Sequence, residues 1–130
     1  MTGKNQRNAC EKHWAKNKYL VLSKSHKIYL DIREYLKNDQ VSLDDLERLI
    51  KNAKDLEESP KDIVNAYSYI WGYFKKKASP DEKNKFLKLI DQYKNKEIAK
   101  EKVLAYLKLL LDKYPNSYLL LGYLSNSNFR

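Results

Sequence analysis

Two groups of residues in this chain have chemistry to offer: a lone cysteine with two histidines, and an excess of lysine set among tyrosines. Cys10 and His13 are three residues apart, so a helix would put them on one face. A thiol beside an imidazole can become a nucleophile, and the same pair can ligate a metal. Two groups on one turn complete neither site. Nucleophilic catalysis also needs a group that orients the base, and zinc needs three or four converging ligands. His26 stands away from both. The paired carboxylates Asp44–Asp45 and Glu57–Glu58 fall at helix ends, where capping and solvation use them. With three glycines in the whole chain, a Gly-rich phosphate loop of the usual form is excluded. These residues give no catalytic site, no metal site and no cofactor.

Binding chemistry is better represented. Lys75-Lys76-Lys77 follows Trp71-Gly72-Tyr73-Phe74, and aromatic rings beside lysines are how many proteins hold RNA, the rings stacking on bases and the ammonium groups meeting phosphates. Lys plus Arg is 26 against 17 Asp plus Glu, a net +9. Residues 1–30 hold seven bases and one acid, so they supply +6 of the +9. Such asymmetry points to a polyanionic partner. AT-rich coding also enriches Lys, Asn, Tyr and Ile without selection for binding, and three lysines are favoured at a helix C-terminus by the dipole alone.

Helices must position these groups. Ile63, Tyr67, Ile70, Trp71 and Phe74 fall at i, i+4, i+7, i+8 and i+11, one apolar helical face. Ser59 and Pro60 start this central helix, and it is predicted to run into the three lysines, with Trp71 in the core and Gly72 in mid-helix, a point of close approach for Trp14 from the first helix. The first helix spans about 5–23, with Cys10, Trp14, Asn17 and Val21 near one stripe. A second, about 26–38, turns Ile28, Tyr29, Ile32, Tyr35 and Leu36 inward. Ser42 opens a third, about 43–58, burying Leu43, Leu46, Leu49, Ile50, Ala53 and Leu56. Ser79-Pro-Asp-Glu82 opens a fifth, about 80–93, with Phe86, Leu87, Ile90 and Tyr93 inward. The last long helix buries Val103, Leu104, Leu107, Leu110, Leu111 and Tyr114 and stops at Pro115. A short helix at about 117–124 and a frayed end at 125–130 complete the reading. The fold class is all-α, a compact bundle of six or seven helices in a single domain over residues 1–130. No run approaches the ~18 apolar residues of a membrane span, the first residues have no apolar signal-peptide core, and one cysteine suits a reducing compartment. A cytoplasmic protein is expected.

Two stretches, His13-Trp-Ala-Lys-Asn-Lys-Tyr-Leu-Val-Leu-Ser23 and Asn65-Ala-Tyr-Ser-Tyr-Ile-Trp-Gly-Tyr-Phe-Lys75, resemble the YbgA-like family, a helical domain of unknown function. Trp14, Lys18, Tyr19, Asn65, Gly72, Tyr73, Phe74, Lys75, Lys83 and Tyr93 match its pattern. The likeness runs from about residue 10 to 121. In longer relatives this domain follows an iron–sulfur desulfidase domain acting on thiolated uracil or on thiouridine in tRNA. The resemblance therefore implies RNA binding, most plausibly of tRNA, and a desulfidase protein partner supplying the catalysis that a single cysteine cannot. The chain departs from the pattern where Asn17 and Tyr69 replace two histidines, and where Gly122 stands in place of a glutamine.

The expectation is a non-enzymatic RNA-binding module. Lys16, Lys18 and Tyr19 on the first helix and Tyr73, Lys75, Lys76 and Lys77 at the end of the central helix would form its surface. The alternatives are a protein-interaction module with a lysine-rich surface, and an enzyme with its site between the first and central helices, around Asn17 and Tyr69.

Overall fold

The computed structural model describes residues 2–116. Among them six helices follow one another: α1 (Thr2–Lys24), α2 (His26–Tyr35), α3 (Leu43–Lys54), α4 (Pro60–Trp71), α5 (Pro80–Lys94) and α6 (Lys100–Lys113). No strand occurs among the described residues; the fold is an all-α bundle. The helix predicted at 117–124, Gly122 and the end at 125–130 lie outside the described residues.

Serines set four of the six starts. The Oγ atoms of Ser25, Ser42, Ser59 and Ser79 accept from the N–H groups of Ile28, Asp45, Asp62 and Glu82. Each satisfies a donor that the first turn leaves unpaired, a contribution of typically ~1 kcal/mol. At Ser79 the carboxylate of Glu82 also accepts from the Ser79 N–H, which completes a capping box. Helix α6 begins at Ala99 without a side-chain cap; an ion pair between Lys100 and Glu58 ties that end to the chain before α4.

The long helix α1 packs against α2, α3 and α4. It runs antiparallel to α2: the Arg7 guanidinium donates to the carbonyls of Leu36 and Asn38 near its start, and Trp14 packs on Tyr29 higher up. It runs parallel to α3, since Gln6 Oε1 accepts from the N–H of Leu43 and Lys24 Nζ donates to the carbonyl of Leu56. It runs antiparallel to α4, with His26 over the first turn of α4 and Tyr19 meeting Tyr73 beyond its last. Cys10, Trp14, Asn17 and Val21 are buried, as their spacing predicts, and Leu22 is buried with them. On the other side of α4, Trp71 stacks on Phe86 of α5, centroids 4.9 Å apart and planes 7° off parallel. Trp71 is a core residue, only 8% exposed.

Five expectations need correction. Helix α4 ends at Trp71, not in the lysines. From Gly72 the chain tightens into i→i+3 bonds, Tyr73 N–H to the Ile70 carbonyl and Phe74 N–H to that of Trp71. Phe74 stays fully buried through this turn, which is why the apolar spacing reads as unbroken helix. Gly72 is therefore a C-cap rather than a mid-helix residue. Trp14 is not its neighbour: a Cβ at Gly72 would meet the carbonyl of Tyr69 at 3.1 Å, and the antiparallel pairing brings Tyr19, not Trp14, to this end of α4. Leu56 is exposed because α3 stops at Lys54. Leu87 is exposed because α5 docks through Phe86 and Ile90, and Leu87 lies one step round the helix.

Glu82 does more than cap. Its Oε1 accepts from the Tyr114 hydroxyl at 2.7 Å and its Oε2 from Lys113 Nζ at 2.8 Å, while the Tyr106 hydroxyl donates to its backbone carbonyl. One residue thus joins the start of α5 to the end of α6. The Lys113 bond first, then the Ser79 N–H and the Tyr114 hydroxyl, hold the carboxyl down at about 2. A carboxylate with a depressed folded-state value stabilises the fold above its ordinary value of 4.5 and loses that contribution as pH falls toward 2. The melting temperature of the parent is expected to drop across this window. Glu82→Gln should show a shallower drop in parallel thermal melts; an identical pH profile would contradict the assignment.

Candidate functional site

Where α1 passes the end of α4, two tyrosines join them. The hydroxyls of Tyr19 and Tyr73 are 2.7 Å apart, and the rings meet edge to face with centroids 6.3 Å apart. Tyr19 is buried by the antiparallel packing, at 4% exposure, whereas Tyr73 is 36% and Tyr69 51% exposed. With Gly72 these three line a small cleft of about 260 Å³. Tyr69 and Tyr73 are four residues apart, a spacing that brings successive turns to one face.

The lysines expected to join this surface fall on either side. Lys18 precedes Tyr19 and is half-buried, its ammonium 5.4 Å from the centroid of the Tyr19 ring. Lys16, one turn earlier on α1, is exposed. Lys75, Lys76 and Lys77 are exposed on the turn between α4 and α5. The tyrosine pair therefore brings the α1 segment carrying Lys16 and Lys18 against the start of the segment carrying Lys75–Lys77.

A second, larger groove of about 420 Å³ lies along the same side of α4 toward its N-terminus, lined by His26, Lys61, Asp62, Val64, Asn65 and Ser68. His26 is held there by its ring lying nearly parallel to that of Tyr29, 19° between planes.

The cysteine–histidine pair lies elsewhere. Cys10 is fully buried, and that burial pushes its thiol above its ordinary range, with the Arg7 guanidinium opposing. A raised thiol holds its proton, the reverse of what a nucleophile or metal ligand needs. His13 faces α3 instead, its Nε2 4.0 Å from Glu47, in a surface groove of mixed charge with Asp44, Arg48, Ile50, Lys51 and Lys54. No cluster of three or more His, Cys, Asp or Glu side chains suited to a metal occurs among the described residues. Asn17 is buried with its amide donating back to the His13 carbonyl. It does not line the tyrosine cleft: Asn17 serves the helix, and Tyr69 faces solvent.

A family model described as "Protein of unknown function (DUF1722)" matches residues 18–126. The chain belongs to this family. The matched stretch opens at Lys18 and takes in the tyrosine pair, Gly72, the groove residues of α4 and all three lysines of the turn; Lys16 precedes it. No curated protein and no solved structure matches the chain. Among the described residues no helix is long and apolar enough to cross a membrane.

Sequence reasoning missed Tyr69 as a surface aromatic and missed the groove beside it. A signal existed for Tyr69. It lies two residues after buried Tyr67 and two before buried Trp71, about 200° from each, so it must point away from the apolar face.

The tyrosine pair is an interaction between two residues and should behave as one. Tyr19→Phe and Tyr73→Phe are each expected to lower stability by about 0.5–1.5 kcal/mol. The double variant should lose less than the two separate effects added together, as touching pairs do. Denaturant unfolding of the four proteins measures this, and strict additivity would show that the hydroxyls do not interact.

Proposed function

We propose that this chain is an RNA-binding module, that tRNA is its partner, and that it works in the cytoplasm beside a desulfidase acting on thiolated uridine or uracil. The observation that carries the RNA reading is the Tyr19–Tyr73 contact. It joins the α1 segment that carries Lys16 and Lys18 to the segment that leads into Lys75–Lys77, and the rings of Tyr69 and Tyr73 are exposed. Lysines on both sides of solvent-facing aromatic rings suit single-stranded or looped RNA, whose phosphates meet the ammonium groups while an unstacked base lies on a ring. Base–aromatic stacking contributes about 1–3 kcal/mol per base. Tyr19 and Lys18 take supporting parts, Tyr19 by fixing Tyr73 from below and Lys18 from the flank of the Tyr19 ring. Lys16, Lys75, Lys76 and Lys77 are the groups that meet phosphate. The net charge of +9 favours encounter with any polyanion. The tRNA partner and the desulfidase rest on the resemblance of the two motif stretches to the YbgA-like family.

Binding to phosphate is largely independent of sequence. Replacing Lys75, Lys76 and Lys77 together with Gln should weaken binding to every tRNA alike while leaving the melt nearly unchanged, because exposed lysines add little to stability. The slope of log affinity against log salt should become shallower by up to about 0.7–0.9 for each phosphate that the variant no longer neutralises. Fluorescence anisotropy at several salt concentrations reads both quantities. Equal binding by parent and triple variant, or no binding by the parent at low salt, would set the RNA reading aside in favour of a protein-docking module.

A further inference from the structure

We infer that the groove beside Asn65 is a base-reading subsite for an unpaired adenine in single-stranded RNA, an inference that rests on the RNA reading above and adds sequence preference to it. The groove and the tyrosine cleft are neighbours on one side of α4. Asn65 lies one turn before Tyr69, a spacing that puts side chains about 5–6 Å apart. A strand that lays one base on Tyr69 therefore brings an adjoining nucleotide to Asn65.

The groove has the chemistry to read what arrives. At about 420 Å³ it falls within the roughly 300–1,000 Å³ usual for small-molecule pockets. The Asn65 side chain is half-exposed, and its amide has no hydrogen-bond partner among the described residues. It presents a donor and an acceptor side by side, the pattern that pairs with N7 and the N6 amino group of adenine. Asp62 offers further acceptors one turn back toward the start of α4, which suits the exocyclic amino group of adenine and opposes the O6 acceptor that guanine carries in its place. Val64 gives the groove an apolar wall, and the imidazole of His26, set by Tyr29, gives it an aromatic one. Lys61 stands at the outer end, placed for the phosphate of the same nucleotide.

The test uses short oligouridine strands carrying a single central A or G, with binding read by fluorescence anisotropy. The parent is expected to prefer A over G by about fivefold or more, the lower range for a bidentate base contact. Asn65→Ala should bind both strands alike. Asn65→Leu, nearly the same shape without donor or acceptor, should do the same, and it keeps the question answerable if the alanine variant melts early. Lys75, Lys76 and Lys77 replaced with Gln should weaken both strands equally and keep the preference for A. An A preference in the parent that survives in both Asn65 variants, or no preference in a parent that binds, overturns the subsite while the RNA reading stands. A parent that binds neither strand overturns both.

Discussion

Helix α1 is a lysine-rich helix that the fold nevertheless packs against three others, and every polar group it buries there has to find a partner. An unsatisfied buried donor or acceptor costs about 1–3 kcal/mol. Asn17 and Ser23 solve the problem within α1, donating to the carbonyls of His13 and Leu20. The Tyr19 hydroxyl solves it outside, on Tyr73. That difference shapes the surface. Two internal bonds would be satisfied at any rotation of α1 against α4; the Tyr19 bond is satisfied at one. It fixes the position of α1 relative to the turn after α4, and with it the position of the α1 lysines relative to Lys75–Lys77.

The same constraint accounts for the end of α4. Trp71 and Phe74 are both buried, three residues apart, one against Phe86 and the other in the core. A regular helix could continue through them. The chain instead tightens at Gly72 and delivers Tyr73 to Tyr19, and the lysines that follow leave the helix axis for an exposed turn. Glu82 performs the corresponding task at the other side of the bundle, where one carboxylate caps α5 and receives Lys113 and Tyr114 of α6.

Much of this was legible in the residues. Serine followed by an acid three positions on marks the starts of α3, α4 and α5, because the physics of a cap is local. Apolar spacing identifies Ile63, Tyr67, Ile70 and Trp71 as core for the same reason. What was not legible depends on packing between distant segments. Leu56 and Leu87 have the composition of core residues, and only the length of α3 and the docking angle of α5 leave them outside. Trp14 and Tyr19 are both large aromatics on α1, and only the antiparallel offset of α1 and α4 decides that Tyr19 reaches Gly72. The site was partly visible as lysines beside aromatics. The groove of His26 with Asn65 was not, since it joins two distant stretches of chain through a packing that no local pattern encodes.

Helix α4 carries a polar groove toward its start and an aromatic cleft at its end, with Lys75–Lys77 exposed on the turn beyond. Amide resonances of the isotope-labelled protein, followed by NMR during titration with a short single-stranded RNA, locate the binding surface directly. Shifts concentrated at Lys16, Lys18, Tyr69, Tyr73 and Lys75–Lys77 are the expected result. Shifts confined to the outer faces of α5 and α6, or none at saturating RNA, would contradict the account.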